Sequence, residues 1–188
     1  MKRISGPKFK LRSGLIVPKD YLAVDYRRTV GLPWKEVRPM VACAFRHVRR
    51  EAARDLGPEY VRRAAKYRHT LVLGKSKQHW WGRAVGYTAR VFMGKLHTEP
   101  RTCVYPRFKD MPVYWVRDWQ EHLVGLIAHE LWHRWQPGSG KAAEHMCELV
   151  EWDAIDRWRK EQGYVFTPPE TPHPDSRPVE APTELVPA

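Results

Sequence analysis

The chain of 188 residues carries 33 Lys and Arg against 21 acids, a formal charge of +12, and is 43% hydrophobic with nine tryptophans. That length and apolar content suit one domain with a sizeable core and exclude a chain disordered throughout. No apolar run approaches the roughly 18 residues of a membrane span, and the basic start "MKRISGPKFKLRSG" has no apolar stretch behind it, so the expectation is a cytoplasmic protein without a membrane anchor.

Residues 1–20 alternate basic residues with Pro, Gly and isolated apolar positions, and are expected to form a basic, poorly ordered arm. A single domain is expected over 21–163. Within it, "PWKEVRPMVACAFRHVRREAARDLG" places Val37, Val41, Ala44, Phe45 and Val48 at helical spacing, and Gly57-Pro58 ends the helix. A shorter helical piece is expected over 58–67. The stretches "HTLVLG", "AVGYTARVFMG" and "RTCVYP" are rich in β-branched and aromatic residues and punctuated by Gly and Pro, which predicts three or four short strands. Helix returns from about Trp119 to Trp135 and from about Lys141 to Lys160. Past Gly163, Pro recurs every two or three residues with few large apolar side chains, so 164–188 reads as a disordered tail.

The charge is uneven: residues 1–70 hold eighteen Lys and Arg against six acids, whereas the tail from Tyr164 holds one Arg against four. A basic N-terminal half admits sequence-independent contact with nucleic acid, and "RHVRREAARD" with Arg62 and Arg63 predicts a basic helical surface for it. "KSKQHWWGR" interleaves cations with Trp80 and Trp81, as a single-strand platform does. The favoured reading is a strand entry that gives its aromatics to the core. Cys43, Cys103 and Cys147 are odd in number and widely spaced, which excludes a disulfide framework and a paired-cysteine zinc site and leaves buried free thiols.

The chemistry is concentrated in "HELWHRWQPGSGKAAEHMCE", residues 129–148. Asp118 and Glu121 mark a helix start and Pro137-Gly138 a stop. Leu123, Val124, Leu126, Ile127, Ala128, Leu131, Trp132 and Trp135 cover nearly every side between them, so this helix is buried and its polar residues need partners. At i and i+4, His129 and His133 lie on one face and reach a single Zn²⁺, while Glu130, rotated by about 100°, holds a water beside it. In this HExxH pattern zinc acidifies the water and polarises a carbonyl, and the glutamate takes the proton and passes it to the leaving amine.

A tight turn at "QPGSG" brings the next helix back alongside, with Glu144 level with His133 and Glu148 level with His129. Glu144 is the expected third ligand and Glu148 the carboxylate that orients His129 through its other ring nitrogen. Glu148 and Glu151, on the same face, stand as alternative ligands. His145, Tyr87 and His122 are candidates for stabilising an oxyanion, a role that spacing does not assign.

On these residues the chain resembles the gluzincin side of the HExxH zincins, in particular small phage and bacterial metallopeptidase-like proteins, and more distantly SprT-like and IrrE-like proteins. The resemblance covers about residues 80–160. It implies an α+β, minimal zincin-like fold: N-terminal helices, a small, mostly antiparallel sheet of three or four strands, the HExxH helix, and a glutamate-bearing helix after it. It also implies an antiparallel edge strand that binds peptide, here 86–94 or "TCVYP". SprT-like proteins use a third histidine, and His145 stands one position away from Glu144. The expected function is a zinc metallopeptidase acting on a peptide or protein substrate with Glu130 as general base. The alternatives are a non-catalytic zincin-fold module that binds nucleic acid or a protein through its basic surface, and a DNA-associated SprT-like protease.

Overall fold

A computed structural model of the chain describes residues 1–5, 9–10, 16–17, 21–27, 30–57, 59–61, 69–77, 79–103, 114–136, 138, 140–163 and 165–167. Most of the Pro-rich tail and most of the helical piece expected over 58–67 lie outside them. The fold is mixed α+β. Its sheet has five strands in the order β1 (Lys2–Ser5), β4 (Tyr21–Tyr26), β5 (His69–Lys75), β7 (Thr88–Met93) and β6 (Trp81–Val85). Two small two-stranded sheets pair β2 (Phe9–Lys10) with β3 (Ile16–Val17), and β8 (Arg101–Cys103) with β9 (Tyr114–Val116). Three long helices are described: α1 (Trp34–Asp55), α2 (Trp119–Trp132) and α3 (Lys141–Gln162).

The sheet is larger than the three or four strands expected, and mixed instead of mostly antiparallel. β4 and β5 are parallel, as are β5 and β7, while the two edges, β1 and β6, run antiparallel to their neighbours. The connections are the cause: α1 carries the chain across between β4 and β5, and the β6–β7 hairpin returns β7 beside β5, since a hairpin cannot join parallel neighbours directly. β1 and β4 are additions from the start of the chain. Lys2–Ser5, within the stretch read as an arm, form an edge strand whose Ile4 is 3% exposed. "AVGYTARVFMG" is a hairpin, turning at Gly86 with φ +54° followed by Tyr87 at negative φ, the pattern of a II′ turn.

Strand alternation sends Leu22, Val24, Leu71, Leu73, Ala89 and Val91 to one face, where they join Phe45 and Val48 of α1 and Leu123, Ile127 and Leu131 of α2 in one core. Helix α2 touches α1, α3, β6 and β7 and is apolar all round, the signature of a central helix. Each fully buried Leu or Ile contributes roughly 1.5–3 kcal/mol. Asp118 caps the helix as expected, accepting from the N–H groups of Gln120 at 2.9 Å and Glu121 at 3.1 Å. Glu121 does not close the box. Fully buried, it accepts from the Arg117 N–H at 2.8 Å and from the Arg159 guanidinium at 2.7 and 3.1 Å, tying α2 to α3.

The arginines expected to form a basic surface on α1 are divided between ion pairs and the core. Arg46 pairs with Glu161 at 2.8 Å, Arg54 with Glu51 and Asp55, and Arg49 is fully buried. Arg62 and Arg63 lie outside the described residues. No helix among those described is long and apolar enough to cross a membrane.

His47, 4% exposed on α1, supplies a pH test of this packing. Burial, then the guanidinium charges of Arg157, Arg50 and Arg54, depress its ring to about 4. The unfolded chain takes up this proton near 6.5, so between those values it binds more protons than the native state and stability falls as pH falls. The expected loss is roughly 3 kcal/mol by pH 4. Urea titrations across that range should show a shallower acid slope for His47→Leu than for the wild type.

Candidate metal centre

Helix α2 ends at Trp132, three residues short of the expected Trp135, because the chain tightens there into i→i+3 bonds: Arg134 N–H to the Leu131 carbonyl at 3.0 Å and Trp135 N–H to the Trp132 carbonyl at 2.8 Å. His133 is the C-cap, its N–H bonded to the His129 carbonyl at 3.2 Å. The two imidazoles still share a face, with centroids 5.0 Å apart. Gly138 and Gly140, at φ +97° and +89°, turn the chain into α3 with backbone angles that L side chains disfavour.

The turn brings Glu144 to the histidines. Its Oε2 stands 3.4 Å from His129 Nε2 and 3.5 Å from His133 Nε2, so three donor atoms face one point. The Sγ of Cys147 forms a second set with the same two histidines, all within 4.8 Å, and this buried group could hold a metal ion. Cys147 also accepts from Gln136 Nε2 at 3.1 Å. Spacing alone left Cys147 a plain core thiol; its position three residues after Glu144, on the same helical face, was the available signal.

The partner that orients His129 is Glu151, not Glu148. His129 Nδ1 lies 3.1 Å from Glu151 Oε2, and Glu151 is 1% exposed. With Nδ1 turned to that carboxylate, Nε2 is the ring nitrogen that faces Glu144. The cause of the difference is Gly125, one turn before His129. A Cβ there would meet Ile155 at 2.7 Å and the Glu151 side chain at 2.9 Å, so the missing side chain lets α3 settle against α2 and pass Glu151 beneath the ring. A glycine inside a helix costs about 1 kcal/mol against alanine; here it makes room for a carboxylate.

Electrostatics follow from this crowding. Burial opposes charge on His129, but the hydrogen bond and charge of Glu151, with Glu130 and Glu144, outweigh it and lift the ring to about 9. His133 moves down, through burial and the charge of His129. Two imidazoles sharing one carboxylate therefore hold a single proton between them, and a metal cation would replace it. Glu130 is 5% exposed with Oε2 unbonded, and burial pushes it up to about 7 against the pull of His129. Its side chain lies against Gly82 of β6, where a Cβ would fall within 2.6 Å of the carboxyl carbon. Glu148 is 1% exposed with Oε2 unbonded, and is raised to about 7, first by burial.

These groups open into a cleft of about 640 Å³, bounded by β6 from Trp81 to Ala84, by the His122, Leu126, His129 and His133 face of α2, and by Glu144 and Glu148 of α3. The bordering strand is β6. The expected 86–94 contains β7, which is paired on both sides, and the described part of "TCVYP" belongs to the separate β8–β9 pair. Of the three oxyanion candidates, His145 is exposed away from the cleft, and Tyr87 lies at the hairpin turn with the Arg134 guanidinium 5.7 Å from its ring. His122 stands on the cleft wall, stacked on Trp80 at 4.5 Å, and burial with His97 and Arg101 depresses it to about 3, so it offers no cation.

Comparisons with protein-family models, curated proteins and solved structures found no match. The donor geometry therefore carries the functional reading. If the cluster holds a metal ion, loss of the carboxylate beneath His129 should weaken its binding: Glu151→Ala is expected to lower metal affinity roughly 10- to 100-fold. Glu148→Gln should change it by no more than a few-fold. Competition with a chromophoric chelator measures both.

Proposed function

We propose that the protein is a zinc-dependent metallopeptidase of the minimal HExxH kind, similar to the gluzincin side of the zincins. One observation carries this reading: Glu144 Oε2 stands within 3.5 Å of the Nε2 atoms of both His129 and His133, with Glu130 in the same cleft. The donor set fits zinc, which binds imidazole and carboxylate in such three-residue catalytic sites and leaves one position open. His129, His133 and Glu144 would hold it, and when bound it would supply Lewis acidity toward a carbonyl and a water.

The chain's own residues account for the remaining steps. Glu130, poised near neutral pH by burial, takes a proton from water at its carboxylate and returns it to the leaving amine. Gly82 keeps space for that carboxylate against β6. Among the described strands β6 pairs only with β7, so its outer edge offers unpaired N–H and C=O groups to an extended peptide lying along the cleft. Glu151 holds His129 in one tautomer.

Purified protein should bind one equivalent of zinc, and Glu130→Gln should abolish peptide hydrolysis with zinc retained. His133→Ala and Glu144→Ala should lose the metal. A wild-type protein free of zinc, or hydrolysis unaffected by Glu130→Gln, would refute the assignment.

A second reading draws on Cys147. If its thiol joins His129, His133 and Glu144, all four positions of a tetrahedral site are filled by protein, as in structural zinc sites, and the domain acts as a binding module. X-ray absorption at the zinc edge separates the two. The peptidase expects nitrogen and oxygen neighbours near 2.0–2.1 Å, and the closed site adds sulfur at about 2.3 Å.

A further inference from the structure

The sheet face turned away from the core carries features that the cleft does not explain. Trp80 and Trp81, adjacent in sequence, part company: Trp80 stacks on His122 at the cleft wall, whereas Trp81 is 44% exposed. Trp81 is the cross-strand partner of Phe92 and stacks on it, ring centroids 4.1 Å apart and planes 13° apart. Phe92 in turn lies over β5 because its partner there is Gly74, where a Cβ would come within 2.7 Å of the ring. The guanidinium of Arg27, itself exposed, sits 5.7 Å from the Phe92 centroid.

The charges around this aromatic pair have one sign. Arg83 of β6 and Arg90 of β7 are directly opposed, both exposed, and neither has an acidic partner among the described residues. Like charges directly opposite destabilise a strand pair, a cost that an anion from outside removes. At the adjoining strand ends, Lys75, Lys77 and Lys95 line a groove of about 330 Å³, but alternation turns Lys75, like Leu71 and Leu73, to the opposite side of β5 from Gly74. Among the described strand residues, alternation places one acid, Asp25, on this face.

We infer that this face binds single-stranded nucleic acid, with a base stacked on the open side of Trp81 and phosphates held by Arg83 and Arg90. A stacked aromatic surface matches unpaired bases, whose π-faces are free, and is sequence-tolerant for that reason. An acidic peptide brings charge without a π-face, and a duplex keeps its bases stacked on one another. Trp81 and Arg83 also border the cleft, but the inference uses none of its metal-site or proton chemistry.

Titration of the full chain against a labelled oligo(dT) of about fifteen nucleotides tests it. Affinity should fall steeply with salt, and Arg90→Ala should both weaken binding and reduce the slope of log K against log salt by about 0.7. Trp81→Leu keeps apolar bulk over Phe92 but no π-face, and should weaken binding roughly fivefold to 100-fold with the slope unchanged. Trp81→Phe should retain most of the affinity. Circular dichroism establishes folding, and Arg90→Ala, on the neighbouring strand, tests the surface should the Trp81 variants fail to fold. Equal affinity of wild type and folded Trp81→Leu, absence of binding at low salt, or a preference for duplex, heparin or phosphatidylserine vesicles over oligo(dT) would overturn the proposal.

Discussion

The contact between His129 and Glu151 sets the arrangement of the helices around the cleft. An imidazole that is 6% exposed must find a partner or forfeit several kcal/mol, and the available partner is a carboxylate on the next helix. For that carboxylate to reach Nδ1, α3 must lie closer to α2 than side chains ordinarily allow, and Gly125 permits the approach. Once α3 is seated there, Glu144 falls between the two Nε2 atoms, Cys147 comes to the same cluster, and Glu148 is left facing the cleft. Glu121 and Arg159 brace the two helices at their far ends through a buried, bidentate ion pair. Removing either partner of such a pair is expensive because it strands the other charge.

The sheet serves the same site from the opposite side. β6 is an edge strand, and its Gly82 packs against the Glu130 side chain, so one wall of the cleft is backbone where a side chain would otherwise stand. That single strand faces two ways. All four residues from Trp81 to Ala84 border the cleft, and Trp81 and Arg83 also extend onto the outer face beside Phe92 and Arg90. A peptide-binding edge and a nucleic-acid face would therefore share five residues of backbone, an economy that a twisted sheet provides because successive side chains point to opposite sides.

Much of this was legible from local pattern. The capped, all-round apolar helix with His129, Glu130 and His133 was readable because i and i+4 lie on one face whatever the tertiary fold. Glu144 was readable because a Gly-rich turn of that length returns the chain alongside itself. The parallel pairing of β4, β5 and β7 was not, since "YLAVDY" is short and strand order depends on where α1 carries the chain. The choice of Glu151 over Glu148 depended on how deeply two helices approach, which a heptad of sequence does not encode without knowledge of what Gly125 faces. Trp80 and Trp81 look alike as letters, and only the tertiary structure sets one against His122 and the other, half exposed, on Phe92.

The residue types at 129–148 by themselves determined the donors on offer: two imidazoles at helical spacing, a glutamate beside the first, and acids after a glycine turn. Periodicity and propensity act over a few residues, so they define a helix face and its chemistry. Tertiary structure decided which acid faces the ligand cluster, which one steadies His129, whether a thiol joins them, and which strand edge borders the cleft. Those outcomes follow from helix crossing and strand order, which are set by close packing between segments far apart in the chain.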